Sequence, residues 1–162
     1  MDTIIEWTET YRVLEEYAIR LRNLYQDKLI KGDKIATGDL MNNVEYIIEK
    51  DSRSVSVSLQ LEDYWKFVEE GRSPGRFPPV DKILDWIRVK PIVPDENNGR
   101  LPTENQLAFL IGRKIAEEGI EGTHYLQESQ EEVLAEFEDK LSEAVGKDVD
   151  RYMDILMTEY FR

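Results

Sequence analysis

The residues able to do chemistry are few, and their spacing is poor. His124 is the only histidine and there is no cysteine, so a zinc cluster or a histidine-based triad would have to be built around one imidazole. His124 follows Gly122-Thr123 at the expected start of a helix, where a surface or capping role fits. Asp95-Glu96-Asn97-Asn98-Gly99 has the look of a calcium loop. Its glycine is out of register, however, and Gln106 stands where a bidentate glutamate belongs. The carboxylate pairs Glu69-Glu70, Glu117-Glu118 and Glu131-Glu132 are sequence neighbours, which point about 100° apart on a helix and do not converge on one proton. Gly71-Arg72-Ser73-Pro74-Gly75 is too glycine-poor for a phosphate cradle and does not join a strand to a helix. The expectation is a protein that is not an enzyme, with no catalytic residue, no cofactor and no metal site.

A different kind of feature stands out at Tyr64-Trp65-Lys66-Phe67-Val68-Glu69-Glu70-Gly71-Arg72-Ser73-Pro74-Gly75-Arg76-Phe77-Pro78-Pro79-Val80. Large apolar residues crowd its first part, and a basic turn held by three prolines follows. Such a segment makes a shaped surface rather than a flexible linker; read alone, it is also a helix end followed by a well-built loop.

Charge narrows the partners. The 162 residues carry a formal net charge of −13, which opposes affinity for nucleic-acid phosphates or an anionic membrane. That charge is unevenly spread: residues 124–162 hold eleven acidic and four basic side chains, whereas 72–90 hold five basic and two acidic ones. Both regions are ordinary solvated faces in a monomer; in a self-associating protein the basic turn of one copy faces the acidic helix of the next. The lack of cysteine suits a reducing compartment. The N-terminus has no leader-like pattern and no apolar stretch approaches a membrane span, so an intracellular protein is expected.

The elements that must position this surface follow from periodicity. Ile4, Trp7, Tyr11, Leu14, Ala18, Leu21 and Tyr25 fall on one stripe, widened by Tyr17 and Leu24, which predicts a helix over 3–30 closed by Gly32. Val44, Tyr46 and Ile48, then Val55, Val57, Leu59 and Leu61, alternate with polar neighbours around Lys50-Asp51-Ser52-Arg53, a β-hairpin with serines facing outward. A short helix over 62–70 ends at Gly71, and Pro79 opens another whose buried face is Val80, Ile83, Leu84 and Ile87. Residues 91–102 read as a loop; Thr103 and Gln106 form a capping box for a helix running to Gly119. Thr123 caps a last helix with the stripe Leu126, Val133, Phe137, Leu141, Ala144, Val149, Tyr152, Leu156 and Tyr160, bent or broken at Gly146. The expectation is one α+β domain over 1–162, with 146–162 as a C-terminal extension of the last helix. A long N-terminal helix and C-terminal helices pack on a small antiparallel sheet built around the hairpin. Two strands alone are marginal, so a third comes from a segment such as 90–93 or from another copy.

In this order the motifs are similar to a known pattern. Thr37-Gly38-Asp39-Leu40, a hairpin, Tyr64-Trp65-Lys66-Phe67-Val68-Glu69-Glu70-Gly71-Arg72, and Pro78-Pro79-Val80 opening a helix that ends in Trp86-Ile87 resemble the neck and tail-completion proteins of tailed bacteriophages. Residues 107–119 followed by Gly122-Thr123-His124-Tyr125-Leu126 resemble that family's passage from helix to glycine to an aromatic-leucine lead into a final helix. The likeness covers roughly residues 5–145 and rests on order and spacing. His124-Tyr125 stands where the family often has a proline-phenylalanine pair, and 146–162 lie beyond the pattern. The resemblance implies a virion structural protein, assembled in the host cytoplasm, that forms a ring of identical copies at the head–tail junction. Such a ring contacts portal or adaptor and tail proteins and lets DNA pass without specific binding; no membrane, cofactor or catalytic residue is implied. On that reading Tyr64, Trp65, Phe67, Arg72, Arg76 and Phe77 contribute to a subunit or partner contact. Two other readings stand beside it: an acidic intracellular protein-binding or regulatory module, and a small hydrolase or nuclease using carboxylates and a divalent metal.

Overall fold

The computed structural model describes residues 5–32, 39–51, 53–89 and 102–160, and the fold is α+β. Its frame is two antiparallel helices, Thr8–Lys31 (α1) and Tyr125–Tyr160 (α6). Between them Val13, Tyr17, Leu21, Val133, Phe137 and Ala144 form one core, with Tyr17 and Phe137 edge to face at 5.9 Å. Ion pairs mark the register: Lys28 lies 3.1 Å from Glu128, and Arg20 grips Glu136 through two bonds of 2.9 and 3.1 Å. These pairs are exposed and set alignment more than stability.

The buried arc of α1 keeps most of the expected stripe: Ala18, Leu21 and Tyr25 are buried, with Tyr17, while Val13 and Leu29 join them and Tyr11 is exposed. Periodicity defines an apolar arc but not which edge of it a neighbour covers, and here α6 and the hairpin together choose the Val13–Tyr17 edge. The helix also begins at Thr8 rather than near residue 3: residues 5–7 are not helical, and 1–4 lie outside the described residues. Gly32 closes it as expected.

A four-residue helix, Asp39–Asn42 (α2), leads into the hairpin of Glu45–Lys50 (β1) and Val55–Gln60 (β2), which packs on α1. The register pairs Tyr46 with Leu59 and Ile48 with Val57 on the half-buried face, and Ile47 with Ser58 and Glu49 with Ser56 on the exposed one. Asp51 builds the turn by accepting the N–H groups of Arg53 and Ser54 at 2.6 and 2.8 Å. Those bonds hold its carboxyl below the usual range. A second core, Tyr25, Leu29, Leu40 and Val44, closes the other end of the frame with Trp65, Val68, Tyr125 and Leu126 against it.

The next helix is shorter than expected, Trp65–Glu69 (α3), beginning three residues later and closed by Glu70 rather than Gly71. Gly71-Arg72 forms a strand (β3) paired with Ile120-Glu121 (β4), so among the described residues the sheet content is two separate two-stranded ribbons. Gly71 has φ +74°, and a Cβ there would collide with the Ile120 carbonyl, so only glycine lets the strands close. The expected third strand at 90–93 lies outside the described residues.

Between β3 and β4 the chain makes an excursion of two helices, Val80–Val89 (α4) and Glu104–Glu118 (α5). They pack on each other through Ile83, Ile87 and Ala108, flanked by Val80, Leu84, Leu107 and Ile111, as the periodicity predicted. The Thr103–Gln106 capping box is present in both directions. This pair forms an arm: its substantial packing is internal, and it joins the frame through the β3–β4 ribbon.

Candidate functional site

The frame is locked by two buried carboxylates that cap helices far away in sequence. Asp148, on α6, accepts the N–H groups of Glu9 and Thr10 at 3.1 and 2.8 Å and so closes the start of α1. Burial alone would raise its pKa, but these N–H donors, with Arg151 nearby, outweigh that and hold it below the usual carboxylate range. Glu69, on α3, does the same for α6: its carboxylate accepts Leu126 N–H and Gln127 N–H, both at 2.9 Å. Thr123 is therefore not the expected cap. Its N–H and hydroxyl both bond the Val68 carbonyl at 3.0 Å, and His124 N–H reaches the Glu69 carbonyl at 3.1 Å. His124 is exposed and takes φ +53°, a backbone role that leaves its imidazole on the surface. Neither carboxylate has room for substrate; both are structural.

Asp148 was open to sequence reasoning and missed. It lies four residues beyond Ala144, in phase with the buried stripe, so an acidic residue in that position is the signal for an internal partner. Val149, expected in the stripe, is exposed instead. Glu69 gave no such signal, because nothing local foretells that α6 begins beside it.

The proposed contact residues divide into two groups. Trp65 faces the second core and is half-buried, and the Tyr64 hydroxyl accepts Leu40 N–H at 2.9 Å, so these two help hold α2 and α3 in place. Phe67 points outward with 65% of its surface exposed. Arg72, Arg76 and Phe77 come together at the root of the arm: an Arg72 guanidinium N–H donates to the Arg76 carbonyl at 2.7 Å. Gly75 N–H bonds the Ala116 carbonyl at 2.7 Å and folds this turn back onto α5. Phe77 lies flat against Gly112, where a Cβ would meet its ring at 2.5 Å, and tilts over Phe109 with centroids 5.5 Å apart. Phe109, exposed beside Phe77, joins the surface.

The electrostatics of this root are unbalanced. Among the described residues Arg72, Arg76 and Lys82 have no carboxylate within ion-pair distance, whereas Arg88 is shared between Asp85 and Glu104. Elsewhere, several cations are paired. In the cleft of about 250 Å³ between α1 and α6, Arg12 pairs with Glu9 and Glu16, and Lys147 with Glu143. That cleft offers no convergent acid and base. Among the described residues no three His, Asp or Glu side chains stand close enough to hold a metal ion, and no helix is long and apolar enough to cross a membrane. The surface this arrangement presents is an aromatic, unpaired-cation patch suited to docking. The chain matches no protein-family model, and no curated protein or solved structure is significantly similar to it.

Proposed function

We propose that this chain is a structural subunit of the head–tail junction of a tailed bacteriophage, a neck or tail-completion protein. Copies assemble into a ring between portal or adaptor and tail, and DNA passes through the lumen without being held. The observation that carries this reading is the root of the arm. Unpaired Arg72 and Arg76 and the exposed Phe77–Phe109 pair sit on a helical hairpin joined to a rigid frame by a two-residue ribbon. Exposed aromatic rings beside cations that lack a carboxylate partner have the composition of a contact surface. The two segments that carry the family resemblance also touch: Val68 and Glu69 receive the bonds of Thr123, His124, Leu126 and Gln127. Their joint recurrence is then a physical unit, a short helix that starts the last one. The net charge of −13 suits a lumen that must not retain DNA.

Mass spectrometry and electron cryomicroscopy of purified phage particles test the reading. The chain is expected at the neck in symmetric multiple copies, and particles that lack it, or turnover of a substrate by the isolated protein, overturn it. Arg72→Glu with Arg76→Glu is expected to reduce the assembled species in mass or stability.

A further inference from the structure

Helix α6 outruns the frame. Past Asp148, where it caps α1, it continues for about three turns, roughly 18 Å, to Tyr160. Within α6, Gly146, Asp150 and Asp154 form one row at steps of four and Met153 and Met157 an adjacent row at a step of four, and the two rows share one face. Met153 and Met157 are 51% and 54% exposed, Gly146 has open space where a side chain would be, and neither Asp150 nor Asp154 has a cationic partner among the described residues. Asp150 and Asp154 also edge an open basin of about 480 Å³ with Glu9, Lys147 and Arg151. One side of these turns is already packed, since Tyr152 and Leu156 are half-buried, and the side bearing Met153 and Met157 faces outward. Two exposed methionines on such a segment form an adaptable seat for aromatic rings.

We infer that this face of α6 is the seat for the root of the arm of the next copy: Arg72 and Arg76 meet Asp150 and Asp154, and Phe77 with Phe109 lies on Met153 and Met157. The inference deepens the ring-subunit reading and rests on it, naming the two surfaces that meet. Complementarity selects the occupant. The root has unpaired cations and an exposed aromatic pair; the seat has unpaired carboxylates and exposed thioethers. Two-fold pairing of α6 ends would bring Asp150 and Asp154 of both copies together, like charge against like. A head-to-tail contact joins unlike surfaces and propagates from copy to copy, closing where the rotation permits.

The absence of native cysteine makes a direct test clean. Ser73 is exposed in the root turn and Met153 is exposed in the seat, so Ser73→Cys and Met153→Cys chains are made separately, mixed at high concentration and oxidised mildly. A disulfide-linked pair containing one chain of each kind is expected, in excess over either chain linked to itself. Adding Arg72→Glu with Arg76→Glu to the first chain is expected to abolish that product, and adding Asp150→Arg with Asp154→Arg to the second to restore it. Preferential Met153→Cys self-linkage, no mixed product, or no restoration by the paired reversal overturns the inference. Circular dichroism of each variant confirms that the fold is kept. Because the assay uses purified chain alone, it separates the two claims. Absence from virions with a positive cross-link removes the phage assignment only, and a neck location with a negative cross-link removes this contact only.

Discussion

The frame and the arm are built from the same materials but held by different means. The α1–α6 frame has two cores along its length, one around Val13, Tyr17 and Phe137 and one around Tyr25 and Leu29, and its ends are closed by Asp148 and Glu69 from distant parts of the chain. The arm has three buried apolar residues, Ile83, Ile87 and Ala108, and a local capping box. One region is stabilised by contacts far apart in sequence, the other by contacts near in sequence and a two-residue ribbon. Regions with little buried apolar area open at lower free energy. The lesson is that the arm is the part expected to open first, and the frame the part that keeps its shape.

The largest expected effect tests the frame. Phe137→Ala removes the ring that meets Tyr17 and is expected to cost about 3–5 kcal/mol, lowering the melting temperature of the whole chain. Ile87→Ala opens the arm core and is expected to cost about 2 kcal/mol locally. Hydrogen exchange should quicken in α4 and α5 while α1 and α6 stay protected; uniform loss of protection would erase the distinction between the two regions.

Asp148→Ala leaves the Glu9 and Thr10 N–H groups without their acceptor, a change expected to cost about 1–3 kcal/mol. It also sharpens the comparison through pH. The Asp148 carboxyl is held below its ordinary value in the folded chain, so its contribution is present above about pH 4 and is lost as pH falls through the folded value. Denaturant titrations should show the wild type losing stability over that acid range and Asp148→Ala losing less. An equal loss in both chains would assign the acid sensitivity to other carboxylates. The smallest effect is expected for Arg20→Ala, a midpoint shift close to the error of a denaturant titration, because its bidentate pair with Glu136 is exposed. A larger value would mean that ion pairs, not the apolar core, set the α1–α6 alignment.

Elements whose signals are local were legible in the chain. The β1–β2 alternation, the Thr103–Gln106 box and the face of α4 were all visible, since each depends on residues within a few positions. Of the proposed contact surface, Arg72, Arg76 and Phe77 gather as their proximity in sequence suggested. Trp65 turns inward, and nothing local distinguished it from Phe67.

Residue order alone determined an acidic α+β chain with one histidine and no cysteine, a hairpin, and a proline-stiffened basic turn between aromatic segments. Only the tertiary structure decided that Asp148 and Glu69 cap helices remote from them, that Gly71 belongs to a strand, and that α4 and α5 stand apart as an arm. The physical reason is range. Periodicity and capping act over a turn or two of backbone, whereas a buried carboxylate finds its donors only after the helices carrying them have packed.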